Sequence, residues 1–231
     1  MLVKICGITN ESDAMLAVGL GASALGFVFA PSPRSSRQMA VKAVARIVDR
    51  LPHGILTVGV FRNEAPARVV QVVNEAGLKA AQLHGEESID DCRYVSERVP
   101  VVLKAFPAGH PGIARWRSYG ADLVLIDSGS PGSGSVFDWN LAEGVVEPDR
   151  MVIAGGLNPS NVTMAIERLR PFGVDVSSGV EMSPGRKDPR KLRDFLVAVR
   201  NAEAASGLPG RDVSDGGRYL YDWADEEEND N

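Results

Sequence analysis

Two side chains that could take part in acid–base chemistry end short apolar segments. Cys6 ends the segment LVKIC, and Asp127 ends the segment LVLID. If both segments are strands, each side chain stands at the edge of a dry interior, where burial disfavours the ionised form of a carboxyl group. We therefore predict a raised pKa for Asp127, which suits a general acid. The alternatives are that Cys6 is a small buried apolar residue and that Asp127 is a cap or an ion-pair partner.

Glycine and serine follow the last two apolar segments of the chain. Gly155 and Gly156 stand in IAGGLNPSNV, and Ser177, Ser178 and Gly179 stand in DVSSGVEMSPG. Glycine lets backbone N–H groups approach an anion, and a following helix adds the positive end of its dipole. One such loop would indicate only a tight turn, but two of them in adjacent units predict a phosphate-binding site.

A stiff loop and a histidine supply two further polar candidates. Arg34 follows Pro31 and Pro33 in APSPRSSR, and these prolines restrict the loop. A guanidinium fork binds a carboxylate in a bidentate manner, so Arg34 is either a carboxylate anchor or an ordinary surface arginine. His84 in QLHG is predicted either to bind substrate hydroxyl groups or to support the end of a strand.

The elements that must position these side chains are eight apolar runs separated by turns and helical patterns. The runs are almost continuously apolar, which is typical of parallel strands covered on both faces. The candidate residues named above lie at or just after the C-terminal ends of these runs. We predict strands at Leu2–Ile8, Ala24–Phe29, Leu56–Phe61, Ala80–His84, Val101–Phe106, Leu123–Asp127, Met151–Ala154 and Val174–Ser177.

Helical patterns lie between the predicted strands. Glu64–Ala76 carries a valine stripe near the 3.6-residue period, and a second helix is expected at Ser88–Glu97. Asn10 and Asn158 are predicted N-caps, and Pro159 would occupy the first turn after the second cap. Eight strand–helix units in about 200 residues predict a (β/α)8 TIM barrel. The alternative is an open doubly wound sheet, which usually has fewer strands.

The pattern of units stops near residue 200. Residues 1–200 are therefore predicted to form one catalytic barrel domain. Residues 201–231 carry nine acidic and two basic side chains and are rich in glycine and serine, which predicts a disordered acidic extension. The alternative is that the aromatic group around Trp223 docks on the barrel or on a partner.

Charge and composition argue against several classes of protein. The net charge is −5, and the extension, with nine acids against two bases, leaves a mildly basic barrel without the concentrated basic face that nucleic acid requires. We find neither a signal peptide nor an apolar stretch near the roughly 18 residues of a membrane span. Two cysteines indicate a reducing, cytoplasmic location, and Cys92 is expected to be a buried helix residue. The histidines lack metal-ligand spacing, so no metal site is expected.

Taken together, the motifs resemble those of the phosphoribosylanthranilate isomerase family, in the family's order. The combination of KICGIT, FDW and VSSGVE is specific, whereas no single motif is. The motifs span about residues 2–200 and are KICGIT, the SPR of APSPRSSR, VGVF, QLHG, LKAF, LIDS, PGSGSVFDW, IAGGLNPSNV and GVDVSSGVEMSPGRKD. One departure is PGSG at residues 131–134, where the family often has GGTG, and this change predicts a slightly stiffer loop.

The resemblance implies a barrel of the ribulose-phosphate-binding type and a role for each matching residue. Cys6 would be the general base, Asp127 the general acid, and Arg34 the anchor of the anthranilate carboxylate. Asp175 would contact the sugar hydroxyl groups. The phosphate would be bound by the glycine and serine turns, at Gly155, Gly156, Ser178 and Gly179.

The reaction implied by the resemblance is the Amadori rearrangement of N-(5-phospho-β-D-ribosyl)anthranilate to 1-(2-carboxyphenylamino)-1-deoxy-D-ribulose 5-phosphate in tryptophan biosynthesis. This reaction needs no metal and no organic cofactor, and the enzyme would be a monomer or a homodimer. Three alternatives stay open. The related barrel isomerase of histidine biosynthesis has an aspartate where Cys6 stands, and indole-glycerol-phosphate synthase needs a catalytic lysine and a longer N-terminus. A non-catalytic phosphate-binding barrel would be expected to lack Cys6 or Asp127.

Overall fold

The computed structural model describes residues 1–29, 35–128 and 139–206, and its main sheet is one closed barrel. Eight parallel strands pair in chain order, and β1 closes the ring by pairing with β8. The predicted (β/α)8 barrel is confirmed, and the doubly wound sheet is excluded. The strands are β1 (Leu2–Cys6), β2 (Ala24–Val28), β3 (Leu56–Phe61), β4 (Ala80–Leu83), β5 (Val101–Pro107), β6 (Leu123–Asp127), β7 (Met151–Ile153) and β8 (Gly173–Val176).

Helices surround the ring in the described parts of the chain. The α-helices are α1 (Glu11–Gly19), α2 (Val41–Val48), α3 (Pro66–Glu75), α4 (Ile89–Ser96), α5 (Val162–Leu169) and α6 (Pro189–Ala205). A 3-10 helix at Pro111–Tyr119 follows β5, and two short ones at Trp139–Leu141 and Pro148–Arg150 precede β7. None of these helices is long and apolar enough to cross a membrane. α6 passes the boundary predicted at residue 200.

A short hairpin follows β8 and leads into α6. It consists of β9 (Glu181–Ser183) and β10 (Arg186–Lys187), which pair antiparallel. The pattern of apolar runs did not predict this hairpin, because its two strands are too short to carry a periodic signal. The hairpin brings a charged side chain, that of Lys187, next to the end of β1.

Local hydrogen bonds decide where two of the helices begin. The side chain of Asn10 accepts a hydrogen bond from the first turn of α1, which confirms the predicted N-cap. The predicted N-cap at Asn158 is wrong. Its side-chain oxygen accepts hydrogen bonds from the backbone and hydroxyl of Ser160, so it stabilises a turn, and α5 begins only after Asn161.

Side chains of the strands alternate between two cores. The outer core packs the strands against the helices, and the inner core fills the barrel with residues such as Leu56, Leu103 and Leu125. Towards the C-terminal ends of the strands the inner side chains become polar, although they are still buried. Lys4 and Asp127 are both less than a tenth exposed. Polar side chains therefore lie directly above the apolar layer that fills the barrel.

Candidate active site

A cavity of about 320 Å³ opens at the C-terminal end of the barrel, a size that suits a small-molecule ligand. Gly179 lies behind the cavity wall, where an added Cβ would be 1.9 Å from the carbonyl oxygen of Leu157. Arg34 and the loop at residues 131–134 lie outside the described residues, so their roles stay predictions. The other predicted site residues line the cavity together: Cys6, His84, Asp127, Gly155, Gly156, Asp175 and Ser178.

The carboxyl group of Asp127 accepts hydrogen bonds from two directions. Its Oδ2 lies 3.1 Å from Nε2 of His84, and its Oδ1 lies 2.6 Å from the backbone nitrogen of Ser128. Nε2 of Gln82 lies 2.7 Å from Nδ1 of His84, so with this orientation of the amide Nδ1 accepts and Nε2–H donates to the carboxylate. His84 thus orients Asp127, a contact that neither of its two predicted roles includes.

The pKa of Asp127 is shifted in the direction opposite to the sequence prediction. Burial raises this pKa, as expected, but the hydrogen bonds from His84 and Ser128 stabilise the carboxylate and outweigh burial. The pKa of Asp127 therefore lies below its ordinary value in the ligand-free protein, and the prediction of a raised pKa is wrong for this state. Asp127 must gain a proton before it can act as a general acid.

Cys6 lies on β1, three strands around the ring from Asp127 on β6. Burial raises the pKa of its thiol, and the attraction of the Lys4 ammonium group opposes this rise without cancelling it. Desolvation therefore dominates, and the pKa of Cys6 lies above its ordinary value. Asp175 lies nearby and forms an ion pair with Lys4, with 2.8 Å between Oδ1 and Nζ.

The glycine and serine turns after β7 and β8 complete the wall of the cavity. Gly155 has a φ of +77°, and a Cβ there would lie 2.4 Å from the backbone nitrogen of Ser128 and 2.6 Å from Oδ1 of Asp127. Only glycine fits this close approach. Ser178 starts a single turn of 3-10 helix at Ser178–Val180, so backbone N–H groups begin next to the cavity.

Two arginines that the motifs did not single out also line the cavity. Arg37 comes three residues after Arg34 in the sequence; its side chain is 16% exposed, and its Nε and Nη2 donate to the carboxylate of Glu181. Arg62 follows β3 directly and faces the cavity from the opposite part of the ring to β7 and β8. The described residues contain no group of three or more His, Cys, Asp or Glu that could hold a metal ion.

Comparison with known proteins identifies the family to which this site belongs. The family model described as N-(5'phosphoribosyl)anthranilate (PRA) isomerase matches residues 3–198. The N-(5'-phosphoribosyl)anthranilate isomerase of Desulforudis audaxviator is 46% identical over 208 residues, which cover 87% of this chain and 98% of the relative. The chain belongs to the phosphoribosylanthranilate isomerase family. Membership makes it an isomerase and excludes the three alternative functions.

Solved structures of phosphoribosylanthranilate isomerases agree with this fold. The enzyme from Thermus thermophilus is 40% identical, with a TM-score of 0.81, and the match covers 87% of this chain and 99% of the other. A second isomerase, solved in complex with reduced 1-(o-carboxyphenylamino)-1-deoxyribulose 5-phosphate, is 42% identical, with a TM-score of 0.76 and coverages of 87% and 100%. The barrel thus corresponds to the full length of these phosphoribosylanthranilate isomerases.

Proposed function

We propose that this chain converts N-(5-phospho-β-D-ribosyl)anthranilate to 1-(2-carboxyphenylamino)-1-deoxy-D-ribulose 5-phosphate in tryptophan biosynthesis, with Cys6 as general base and Asp127 as general acid. One observation carries the assignment of roles: a single cavity holds a thiol, a carboxyl group and two glycine- and serine-rich turns. The bound analogue of the related isomerase supports the choice of substrate.

The ring of strands sets the direction in which the substrate would lie. Its phosphate would sit at the turns after β7 and β8, where Gly155, Gly156, Ser178 and Gly179 gather. In an eight-stranded ring, β3 and β4 stand opposite these turns. The carboxyphenyl end would therefore point towards the loop after β2 and the end of β3, where Arg37 and Arg62 supply positive charge. The ribose would lie between Cys6 and Asp127, with Asp175 near its hydroxyl groups.

The chemistry begins with two proton transfers and ends with a tautomerisation. Asp127 donates a proton to the ring oxygen of the ribose, the C1'–O bond breaks, and the nitrogen lone pair forms a Schiff base. The Cys6 thiolate then removes the C2' proton, which gives an enolamine that tautomerises to the ketone as C1' gains a proton. The substrate excludes water from Asp127 and brings negative charge into the cavity, and both effects favour the protonated carboxyl group. His84 keeps the carboxyl group aimed at the cavity.

The assay for this function is fluorescence-monitored turnover of freshly prepared phosphoribosylanthranilate. We expect a steady decrease of the anthranilate signal that depends on enzyme concentration. The double variant Cys6→Ser/Asp127→Asn serves as the control, because it keeps the shape of the site but removes both proton-transfer groups. Equal rates for the two proteins, after subtraction of spontaneous decay, would remove the basis of the proposal.

The phosphate assignment predicts a change in KM when Ser178 becomes acidic. Ser178→Asp places a carboxylate against the bound phosphate, and we expect KM to rise at least about tenfold with kcat less affected. Ser178 suits this test because, unlike Gly155 and Gly156, it does not have a positive φ. Ser178→Ala is the matched control and is expected to change KM only a few-fold. An unchanged KM in Ser178→Asp would place the phosphate elsewhere.

The carboxylate anchor is expected on the loop after β2. The family motif implies Arg34, whereas Arg37 is the arginine of this loop that lines the cavity in the described residues. Lysine cannot reproduce a bidentate contact, so replacing the anchor by lysine is expected to cost about 1.5–3 kcal/mol in kcat/KM. We expect this loss in Arg34→Lys and a smaller one in Arg37→Lys, because Nε and Nη2 of Arg37 already donate to Glu181. The opposite order would assign the role to Arg37, and two small losses would move the anchor off this loop.

The directions of the two pKa shifts predict which group controls each side of the pH profile. The productive form, with a protonated Asp127 and an ionised Cys6, holds one proton. The form with an ionised Asp127 and a neutral Cys6 also holds one proton. This form dominates because the pKa of Asp127 is lowered and that of Cys6 is raised. The productive form is therefore a constant minor fraction of the one-proton state at every pH.

We expect kcat/KM to follow a broad bell. It falls at low pH when Asp127 gains a proton and at high pH when Cys6 loses one, so the acid limb reports Asp127 and the basic limb reports Cys6. The check is to measure the rate of Cys6 alkylation by iodoacetamide over the same pH range. Its midpoint is expected to coincide with the basic limb of the bell. Coincidence with the acid limb would show that the pKa of Cys6 lies below that of Asp127.

Three predictions concern the whole molecule rather than the site. The chain is expected to act as a monomer or a homodimer, which light scattering at several concentrations distinguishes. The acidic extension is expected to take no part in the chemistry; its last 25 residues, 207–231, lie outside the described residues. A cytoplasmic location stays a prediction from the use of cysteine.

A further inference from the structure

One buried charge near the reaction centre has no part in the mechanism described so far. Lys4 is fully buried on β1, two residues before Cys6, so both side chains belong to the inner face of the barrel. A lysine with no exposed surface is rare unless its ammonium group is paired. Its partner is Asp175, whose Oδ1 lies 2.8 Å from Nζ of Lys4. Lys4 does not line the cavity, so it would not touch the substrate.

The ammonium group of Lys4 and the thiol of Cys6 face the same small space. Gly26 on β2 is paired with Cys6 in the barrel. A Cβ on Gly26 would lie 2.9 Å from Sγ of Cys6 and 3.1 Å from Nζ of Lys4. Sγ of Cys6 and Nζ of Lys4 therefore both border the space that a side chain at position 26 would occupy. An ammonium group this close to a sulfur atom stabilises its ionised form, most strongly where water is absent.

A second group of charges reaches Cys6 from the hairpin and the loop after β2. Nζ of Lys187 donates to the carbonyl oxygen of Cys6 at 2.6 Å and to Glu181 at 3.2 Å, and Glu181 also accepts from Arg37. Across the cavity the charged or titratable groups are His84, Asp127 and Arg62. We call the five charged residues gathered around Cys6 on this side of the cavity the thiol cluster: Lys4, Arg37, Asp175, Glu181 and Lys187.

The thiol cluster has an excess of positive charge. Three of its members are cations and two are carboxylates, so one positive charge is left over when both carboxylates are ionised. A thiolate at Cys6 makes the whole group neutral. Within the cluster Lys4 is the cation that borders the sulfur itself, whereas Lys187 binds the backbone of Cys6 and Arg37 is held by Glu181.

We propose that Lys4 is a positioning residue for the reaction and that its ammonium group favours the thiolate form of Cys6. The proposal rests on the proposed function, in which that thiolate is the base. In this proposal the Lys4–Asp175 ion pair contributes to proton abstraction by Cys6 as well as to the stability of the barrel. Asp175 would have two functions, because it lines the cavity beside the ribose and also fixes the ammonium group next to the sulfur.

The balance of forces at both groups supports this role. Burial raises the pKa of Cys6, and Lys4 is the largest influence acting against that rise. Burial lowers the pKa of Lys4, but Asp175 and Cys6 outweigh it and raise the pKa above its ordinary value. The charged form of Lys4 is therefore favoured in its place beside the sulfur.

The test measures the ionisation of Cys6 directly. Lys4→Met keeps the apolar stem and removes the charge. We expect the midpoint of the pH dependence of iodoacetamide alkylation, read by mass spectrometry of the Cys6 peptide, to rise by about one unit or more. Below that midpoint Cys6 would then react roughly tenfold more slowly. Turnover is expected to show a lower kcat and a nearly unchanged KM, because Lys4 lies outside the cavity wall.

Lys104→Met is the matched control. Lys104 is another buried lysine with an ion-pair partner, Glu87 at 2.8 Å, but its position in β5 places it on the outer face of the barrel. We expect its removal to lower the melting temperature without moving the alkylation midpoint of Cys6. If Lys4→Met does not fold, Lys4→Met/Asp175→Asn removes the whole ion pair and is expected to raise the midpoint by a smaller amount.

Two results would overturn the proposal: an unmoved midpoint in a folded Lys4 variant, or an equal movement in Lys104→Met. Either is distinguishable from failure of the proposed function. If Cys6 is not the base, Cys6→Ser keeps its activity, whereas the alkylation midpoint of Lys4→Met still rises.

Discussion

Replacing Cys6 by serine is expected to lower kcat by roughly 10²–10⁴-fold, the usual contribution of a positioned general base. A hydroxyl group fits the site but is a far weaker base than a thiolate, so the C2' proton stays in place. KM is expected to change little, because the phosphate and the carboxylate would be bound at β7, β8 and the loop after β2. Steady-state kinetics with phosphoribosylanthranilate measures both quantities.

The second cysteine provides the control for this variant. Cys92 is fully buried in α4, away from the cavity, and burial raises the pKa of its thiol to about 12. Cys92→Ala is therefore expected to keep kcat within a few-fold and to lose only some stability. If Cys6→Ser turns over at nearly the rate of the unchanged enzyme, Cys6 is not the base.

Asp127→Asn is expected to produce a loss of similar size, roughly 10²–10⁴-fold in kcat. The amide can still accept a hydrogen bond from His84, so the site keeps its shape, but it cannot donate an acidic proton to the ring oxygen. The ring would then open only by the slow uncatalysed route. The acid limb of the pH profile is expected to disappear with the carboxyl group.

An aspartate at the other end of β6 is the control. Asp122 precedes the strand and accepts a hydrogen bond from the backbone of Val102 at 2.8 Å, far from the C-terminal cavity. Asp122→Asn is expected to keep kcat within a few-fold. Nearly full turnover in Asp127→Asn would assign the acid to another group, and His84 would be the first to examine because it contacts the same space.

The strands could be predicted from the sequence because of how a closed parallel barrel buries them. Strands covered on both faces are apolar at most positions, so the sequence predicts their bounds to within a few residues, and the predicted bounds of β3 and β6 are those of the structure. The start of α5 was less predictable. Asn158 and Pro159 have the types of a helix start, but the side chain of Asn158 is used in a turn with Ser160.

The protonation states of the site could not be predicted in the same way. Burial of Asp127 is visible in the apolar segment LVLI, but the hydrogen bond that reverses its effect comes from His84, 43 residues away in the chain. A signal for Lys4 was present in the sequence. A lysine inside an apolar strand, two residues before a candidate base, lies on the same face as that base and needs a partner.

Lys187 joins the two ends of the barrel, and this has a consequence for the protein during its synthesis. Its Nζ donates to the carbonyl oxygens of Cys6 and Ser177, at the ends of β1 and β8. Cys6 and Lys4 leave the ribosome early. Asp175, the partner of Lys4, stands 171 residues after Lys4 and is therefore made much later. At about 5–20 residues per second, this delay is roughly 10–30 s. Until then we expect the thiol of Cys6 to be accessible to oxidants. Closure of the ring buries this thiol and places the proposed base beside Lys4.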